Sequence, residues 1–399
     1  MSWDKVKLAD CCLSISDGDH QPPPKAVTGV PFVTIANINK SNQFDFSDTM
    51  FVPKEYYDRL DSKRKAQVGD ILYSVVGSFG IPVLIKEERP FVFQRHIAIL
   101  RPNERINSAF LYYTMLSRDF YGKADAAAIG AAQRTVSLTS LRGMEIELPP
   151  LEVQEAIASK LSTYDNLIEN NQKQIKLLEE AAQRLYKEWF IDLRFPGYED
   201  TPIVDGVPEG WEKATIDSRI SLLSGYAFKS AQFDSSGEFK VVTIKNVKDG
   251  EFDGSNTNRI VSIPEKMPKH CVLADGDILL SLTGNVGRTC IVNGNNYLLN
   301  QRVAKLQSDI PAFTYCLFRS SDMFDAMKNL ANGAAQQNLS PIRTGKITIL
   351  FPADNLLEEY ERIVGSIISK MLSLRKQCDL LIQARDRLLP KLMSGEIEV

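Results

Sequence analysis

Residues able to hydrogen-bond base edges recur in two clusters, Gln94-Arg95-His96 and Asn300-Gln301-Arg302. Gln, Asn and Arg can each grip a base edge bidentately in a major groove; a solvated loop or strand edge is the plainer account. Two glycine loops, Gly77-Ser78-Phe79-Gly80 and Gly284-Asn285-Val286-Gly287, follow candidate strands. They read either as tight hairpin turns or as bare backbone lying close to a phosphate, with Ser78, Asn285 and Arg288 at hand. Gln133-Arg134 and Gln336-Gln337-Asn338 stand in Gly/Ala-rich loops. His20, Gln21, Lys25, Asn37, Asn39, Lys40, Lys229, Lys245 and Asn246 complete the polar candidates.

Catalytic patterns are missing. An adenine methyltransferase needs Asp or Asn before Pro-Pro and an aromatic; Gln21-Pro22-Pro23-Pro24 has the wrong first residue and Leu148-Pro149-Pro150-Leu151 the wrong ends. No G-x-G-x-x-G, G-x-x-x-x-G-K-[ST], H-E-x-x-H or G-x-S-x-G occurs. The six cysteines form no C-x-x-C pair and the three histidines are far apart, which argues for reduced thiols and against a zinc site. No run of about 18 apolar residues offers a membrane span, and the start of the chain lacks a signal-peptide layout. These features point to a non-enzymatic, cytoplasmic protein.

Charge sets a constraint on any nucleic-acid role. The net charge is −3, with 18 basic and 17 acidic residues in 1–150 and 16 and 17 in 196–352. Segments 151–195 and 353–399 carry 6 against 8 and 7 against 8. Without a basic segment, counterion release gives little non-specific affinity, so binding would be weak or rely on a local patch.

The elements that must position these residues come in two sets. SWDKVKL (2–8) returns as GWEKATI (210–216), FVTIANI (32–38) as VVTIKNV (241–247), and GDILYSVVGSFG (69–80) as GDILLSLTGNVG (276–287). Gln94-Arg95 returns as Gln301-Arg302, GAAQ (130–133) at 333–336, and Ser137 as Ser340. Six matches in one order, at offsets of 203 to 209, establish an internal repeat. Residues 17–25 and 224–232 occupy the same place but share no close match, so the two copies should read different things.

Each copy opens with candidate strands at 32–38, 70–76, 82–85 and 96–100, or at 240–247, 277–282 and 302–306, followed by helices at 109–121 and 312–330. This mixture predicts a compact α+β domain. A stretch without Gly or Pro follows from 151 to 190, with Ile157, Leu161, Tyr164, Ile168, Asn171, Ile175, Leu178, Ala182, Leu185 and Trp189 at alternating steps of four and three. The second copy repeats this at Tyr360, Val364, Ile367, Met371, Leu374, Cys378, Leu381, Arg385, Leu388 and Leu392. Two helices of about 38 residues, roughly 57 Å each, should pair along these seams in antiparallel. Asn171 and Arg385 are polar seam positions, either tolerated or setting register. Pro390 should end or kink the second helix near Leu389. The expected object is a dumb-bell with approximate two-fold symmetry, a shape suited to two nearby sites on DNA.

The tryptophan-led start, the V-T-I-x-N strand, GDIL-x-S-x-x-G-x-x-G, Gln-Arg, G-A-x-Q and P-P-L-E-V-Q-E, in this order, resemble the specificity (S) subunit family of type I restriction–modification systems. LIENNQKQIKLLEEAAQRLYKEWF (167–190) and RLLPKLMSGEIEV (387–399) are similar to that family's central and C-terminal conserved regions. The second copy lacks a counterpart of Gln154. The resemblance implies target-recognition domains at 1–150 and 196–352, and conserved long helices at 151–195 and 353–399. It implies a bipartite, asymmetric double-stranded DNA target, with the helices setting its gap. Two modification subunits, methylating adenine with S-adenosylmethionine, would dock on the helices, and restriction subunits using ATP and Mg could join them; no cofactor is expected on this chain. A coiled-coil scaffold that does not read DNA, or a self-contained methyltransferase or nuclease, are the competing readings.

Overall fold

A computed structural model describes residues 3–20, 22–39, 41–131, 133–331 and 338–398. The chain divides into two compact units, Met1–Glu169 with Leu380–Val399, and Asn170–Asp379. The division runs through both long helices, so each unit is a mixed α+β head plus part of each helix.

In the first unit, strand Ile71–Ser74 lies inside an antiparallel sheet ordered Cys12–Asp17, Ile97–Pro102, Ile71–Ser74, Pro82–Leu84. The run Ile71-Leu72-Tyr73-Ser74 is buried on both faces because each face carries its own core. Alternation sends Ile71 and Tyr73 to a helix-covered core with Phe110, Tyr113 and Phe120. Leu72 points the other way, to Val33, Val83 and Phe93. A second sheet, ordered Met50–Val52, Val30–Val33, Val92–Phe93, closes that side.

The second unit repeats the plan. Ile278–Ser281 sits in a sheet ordered Ser221–Ser224, Val303–Gln307, Ile278–Ser281, Thr289–Ile291. Ile278 and Leu280 join Phe313, Tyr315 and Phe318, while Leu279 joins Val241, Cys290 and Leu299. Both units also pair their leading strand with the strand before the long helix: Asp4–Lys7 with Glu145–Leu148, and Glu212–Thr215 with Thr348–Phe351.

Three expectations change at element ends. The strand expected at 32–38 stops at Val33, and Ile35–Asn37 forms a 3-10 turn closed by the Asn37 side chain. The helix expected at 109–121 is two helices, Ser108–Leu116 and Arg118–Ala127. At the break, Ser117 Oγ accepts from the Phe120 amide and donates to the Thr114 carbonyl, the behaviour of a serine N-cap. The counterpart at 312–330 is likewise Pro311–Phe318 and Ser321–Ala331, with Ser320 in that role. The last helix, Asp354–Met393, runs through Pro390 instead of ending before it. Leu389 and Leu392, on either side of the proline, are buried in the first unit's core, and burying them outweighs one lost backbone bond.

The first long helix spans Leu151–Tyr186 and ends in a wider π-helical turn, Lys187–Ile191. In the first unit its early residues Ile157, Ala158 and Leu161 share a core with Leu388, Leu389 and Leu392 near the end of the last helix. In the second unit its late residues Ala182, Leu185 and Tyr186 pack with Tyr360, Val364 and Ile367 near the start of that helix. Start against end and end against start is antiparallel pairing. Leu161, Ile168, Asn171, Val364, Met371 and Leu374 are buried, and Ile175, Leu178, Leu185, Ile367, Leu381 and Leu388 are partly buried. No seam position is exposed, as a heptad stripe facing a partner helix requires.

Candidate nucleic-acid interface

The motif GDIL-x-S-x-x-G-x-x-G is a wiring diagram for one loop. Asp70, 2% exposed, accepts from the Gln67 amide and from Arg101; Asp277 accepts from the Ala274 amide and pairs with Lys305 at 2.8 Å. Ser74 Oγ accepts from the Ile81 amide, and Ser281 Oγ accepts from the Arg288 amide. These hydroxyls close the two glycine hairpins.

The two glycines of each hairpin do different jobs. Gly80 (φ +95°) and Gly287 (φ +83°) lie under an aromatic ring: an added Cβ would stand 2.5 Å from Tyr121 Cδ2 or 3.3 Å from Phe324 Cδ2. Gly77 shares a left-handed φ of +71° with Gly284, but a Cβ at Gly77 would meet nothing within 4 Å. The second glycine is therefore needed for packing in both units; at the first, Gly77 leaves backbone bare beside the exposed Ser78, whereas a Cβ at Gly284, beside the exposed Asn285, would stand 3.1 Å from Ile244 Cδ1.

Backbone bonds gather three further segments around each hairpin. The Val75 amide donates to the His96 carbonyl, and the Gly77 amide to that of Arg134. The Gly18 and Asp19 amides donate to the carbonyls of Ile97 and Phe93. In the second unit Leu282 donates to Arg302, Leu339 to Leu282, Gly225 to Val303 and Tyr226 to Leu299. His20, Ser78, Arg95, His96, Gln133 and Arg134 thus lie on neighbouring segments in the first unit. Asn285, Arg288, Arg302 and Asn338 do so in the second.

The segments 17–25 and 224–232, unmatched in sequence, share one requirement. A Cβ on Gly18 would stand 2.2 Å from the Phe93 carbonyl oxygen, and on Gly225 2.3 Å from that of Asn300. Only glycine lets these segments cross the Gln-Arg turn. The scaffold is common and the flanking side chains differ: Asp17, Asp19 and His20 against Ser224, Tyr226 and Phe228.

Arg95 and Arg302 are exposed and make no ion pair among the described residues. His20 pairs with Asp17 at 2.8 Å. Arg134 bonds Asp125 and lies 5.4 Å above the Phe79 ring, which itself stacks on Tyr121. Burial, and after it the Arg95 charge, hold the His96 imidazole below its ordinary pKa, which favours the neutral ring, with one nitrogen donating and the other accepting.

Other candidates are placed elsewhere or occupied. Asn37 and Asn246 are structural: each Oδ1 accepts from the amide and hydroxyl of Thr34 or Thr243, and each Nδ2 donates to carbonyls, of Asp48 for Asn37 and of Asp253 and Ser255 for Asn246. Asn39 Oδ1 accepts from the Ser41 and Gln43 amides. These side chains close local turns, and only that of Asn246 is buried. Lys25, Lys229 and Lys245 are exposed. Gln21, Lys40, Gln336 and Gln337 lie outside the described residues. The residues that sequence reading passed over are Tyr121 and Phe324, whose common offset of 203 was a usable signal.

Among the described residues no group of His, Cys, Asp and Glu could hold a metal ion, and no helix is long and apolar enough to cross a membrane. The type I restriction modification DNA specificity domain matches this chain twice, over residues 2–180 and 208–373. The chain belongs to that family. It is a specificity subunit of type I restriction–modification systems, the DNA-recognising, non-catalytic component. Membership implies DNA and the modification and restriction subunits as partners. The putative MjaX specificity subunit of Methanocaldococcus jannaschii is 27% identical over 420 residues, covering 100% of this chain and 94% of that protein. The HindI specificity subunit of Haemophilus influenzae is 22% identical over 466 residues, covering 99% of each. The S subunit from M. genitalium shares the fold, with a TM-score of 0.58 at 16% identity over 98% of this chain and 96% of that one.

Proposed function

We propose that each repeat of this specificity subunit reads one half of a bipartite, asymmetric DNA target, and that the paired helices set the gap. The supporting observation is the hairpin wiring common to both units, which carries unlike side chains in the same places. Arg95 and Arg302 contact bases from the same place in each unit, and the differing side chains around them, His20, Ser78, His96, Gln133 and Arg134 in one unit and Asn285, Arg288 and Asn338 in the other, make the two half-sites unlike. Gly77 and Gly284 give backbone access to phosphate. Two modification subunits, holding S-adenosylmethionine, dock on the helical region and methylate adenine in each half-site. Restriction subunits using ATP and Mg²⁺ join where the system also cleaves. The chain itself binds no cofactor and works in the cytoplasm. With a net charge of −3, it relies on these partners for much of the phosphate contact.

The test is methylome sequencing of cells expressing the chain with the adenine methyltransferase encoded beside it. A new bipartite motif is expected, absent without this chain. Arg95→Ala should relax one half-site and Arg302→Ala the other. Loss of both half-sites from either substitution, or no motif despite a stable complex, would overturn the reading.

A further inference from the structure

The two helix-seam positions that interrupt the apolar stripe are both tied to the opposite helix. Arg385 Nη1 donates to Asp165 Oδ1 at 2.6 Å, with the side chains 16% and 17% exposed. Its Nε and Nη2 donate to Asp386 on its own helix. The other oxygen of Asp165 accepts from the Tyr113 hydroxyl at 2.7 Å. Tyr113 stands on Ser108–Leu116 in the recognition head, so one carboxylate joins the head and both long helices within the first unit. A small cavity of about 80 Å³ beside it is lined by Ser41, Gln43, Lys86 and Glu169 as well. Gln43 and Lys86 both bond Glu169, one turn beyond Asp165. In the second unit Asn171, 7% exposed, donates to Gln377 Oε1 at 3.4 Å.

An apolar heptad stripe does not choose its own register, since a slip of seven residues brings like side chains together again. Buried ion pairs contribute little net stability, but a slipped register would strand each charge against apolar neighbours. That penalty falls on every register except the native one.

We propose that Asp165, with Tyr113 and Arg385, and Asn171 with Gln377 are register keys that hold the long helices at one offset and thereby fix the gap length of the DNA target. Asp165 is the principal positioning residue. The proposal rests on the reading that the helices set the gap.

The test uses the specificity subunit in complex with its modification partner, and reads the gap by methylome sequencing. A variant carrying Asp165→Leu, Arg385→Leu and Asn171→Leu removes the keys without leaving a lone charge. It should keep both half-sites but methylate sites of more than one gap length. The exchange Asp165→Arg with Arg385→Asp should restore a single length. A single, unchanged gap in the assembled leucine variant would overturn the proposal. If that variant does not fold, the exchange decides: a folded complex with one gap length supports the keys, and failure to assemble overturns them in favour of a purely structural role. An absent bipartite motif in the wild type would instead refute the underlying reading of function.

Discussion

Gln154 offers a direct test of how each head is anchored to its helix. The side chain is 1% exposed. Its Oε1 accepts from the Asn107 amide at 2.8 Å, and its Nε2 donates to the carbonyls of Pro149 at 2.8 Å and Arg105 at 3.2 Å. It therefore bridges the turn before helix Ser108–Leu116 to the start of the long helix. Gln154→Leu would leave the Asn107 amide without an acceptor, at about 1–3 kcal/mol, and remove a donor from the buried Pro149 carbonyl. A total near 2–3 kcal/mol corresponds to about 8 °C in Tm for a unit of this size. Gln154→Glu keeps the acceptor but sets a carboxylate against two carbonyls; protonation turns it into a donor, raising its folded pKa, so this variant's deficit should shrink as pH falls toward about 4. In the second unit the position at offset 203 is Leu357, and Glu361 takes over by accepting from the Ala312 and Phe313 amides at 2.9 and 2.7 Å. Glu361→Leu should cost a similar amount. Scanning calorimetry of the full chain measures all three. A Gln154→Leu protein melting within about 1 °C of wild type would refute the reasoning that this amide is the anchor.

Gly77→Ala should cost only left-handed backbone strain, about 1–2 kcal/mol, and reduce methylation more than that loss explains. Gly80→Ala must also displace Tyr121, so its urea midpoint should fall further; equal midpoints would contradict the division of roles. Arg101→Met strands the buried Asp70 carboxylate and should destabilise by about 3–5 kcal/mol, seen as an early urea transition. Asn246→Ala should lower stability by about 2 kcal/mol without altering the methylated sequence; a changed motif would return Asn246 to the DNA-contacting set.

The repeat, the heptad stripes and the strands expected at 70–76 and 277–282 were legible because periodicity and apolar pattern are properties of the chain itself; that these strands are buried on both faces was not. Membership of the family and the absence of catalytic motifs were legible for the same reason. The helix breaks at Ser117 and Ser320 were within reach, since a serine N-cap has a local signal. Which side chains are available to a ligand was not legible. Asn37 and Asn246 look like base readers until the structure hands each one a turn to close, and Gln154 and Glu361 look unrelated until both are found anchoring a head. The same holds for Gly18 and Gly225, whose flanks share nothing, yet each must pass within contact of a Gln-Arg turn. Local pattern determines where elements form, because backbone hydrogen bonding and burial act over a few residues. Tertiary packing decides which polar groups remain unpaired at the surface, because a buried amide takes whichever acceptor folding brings to it.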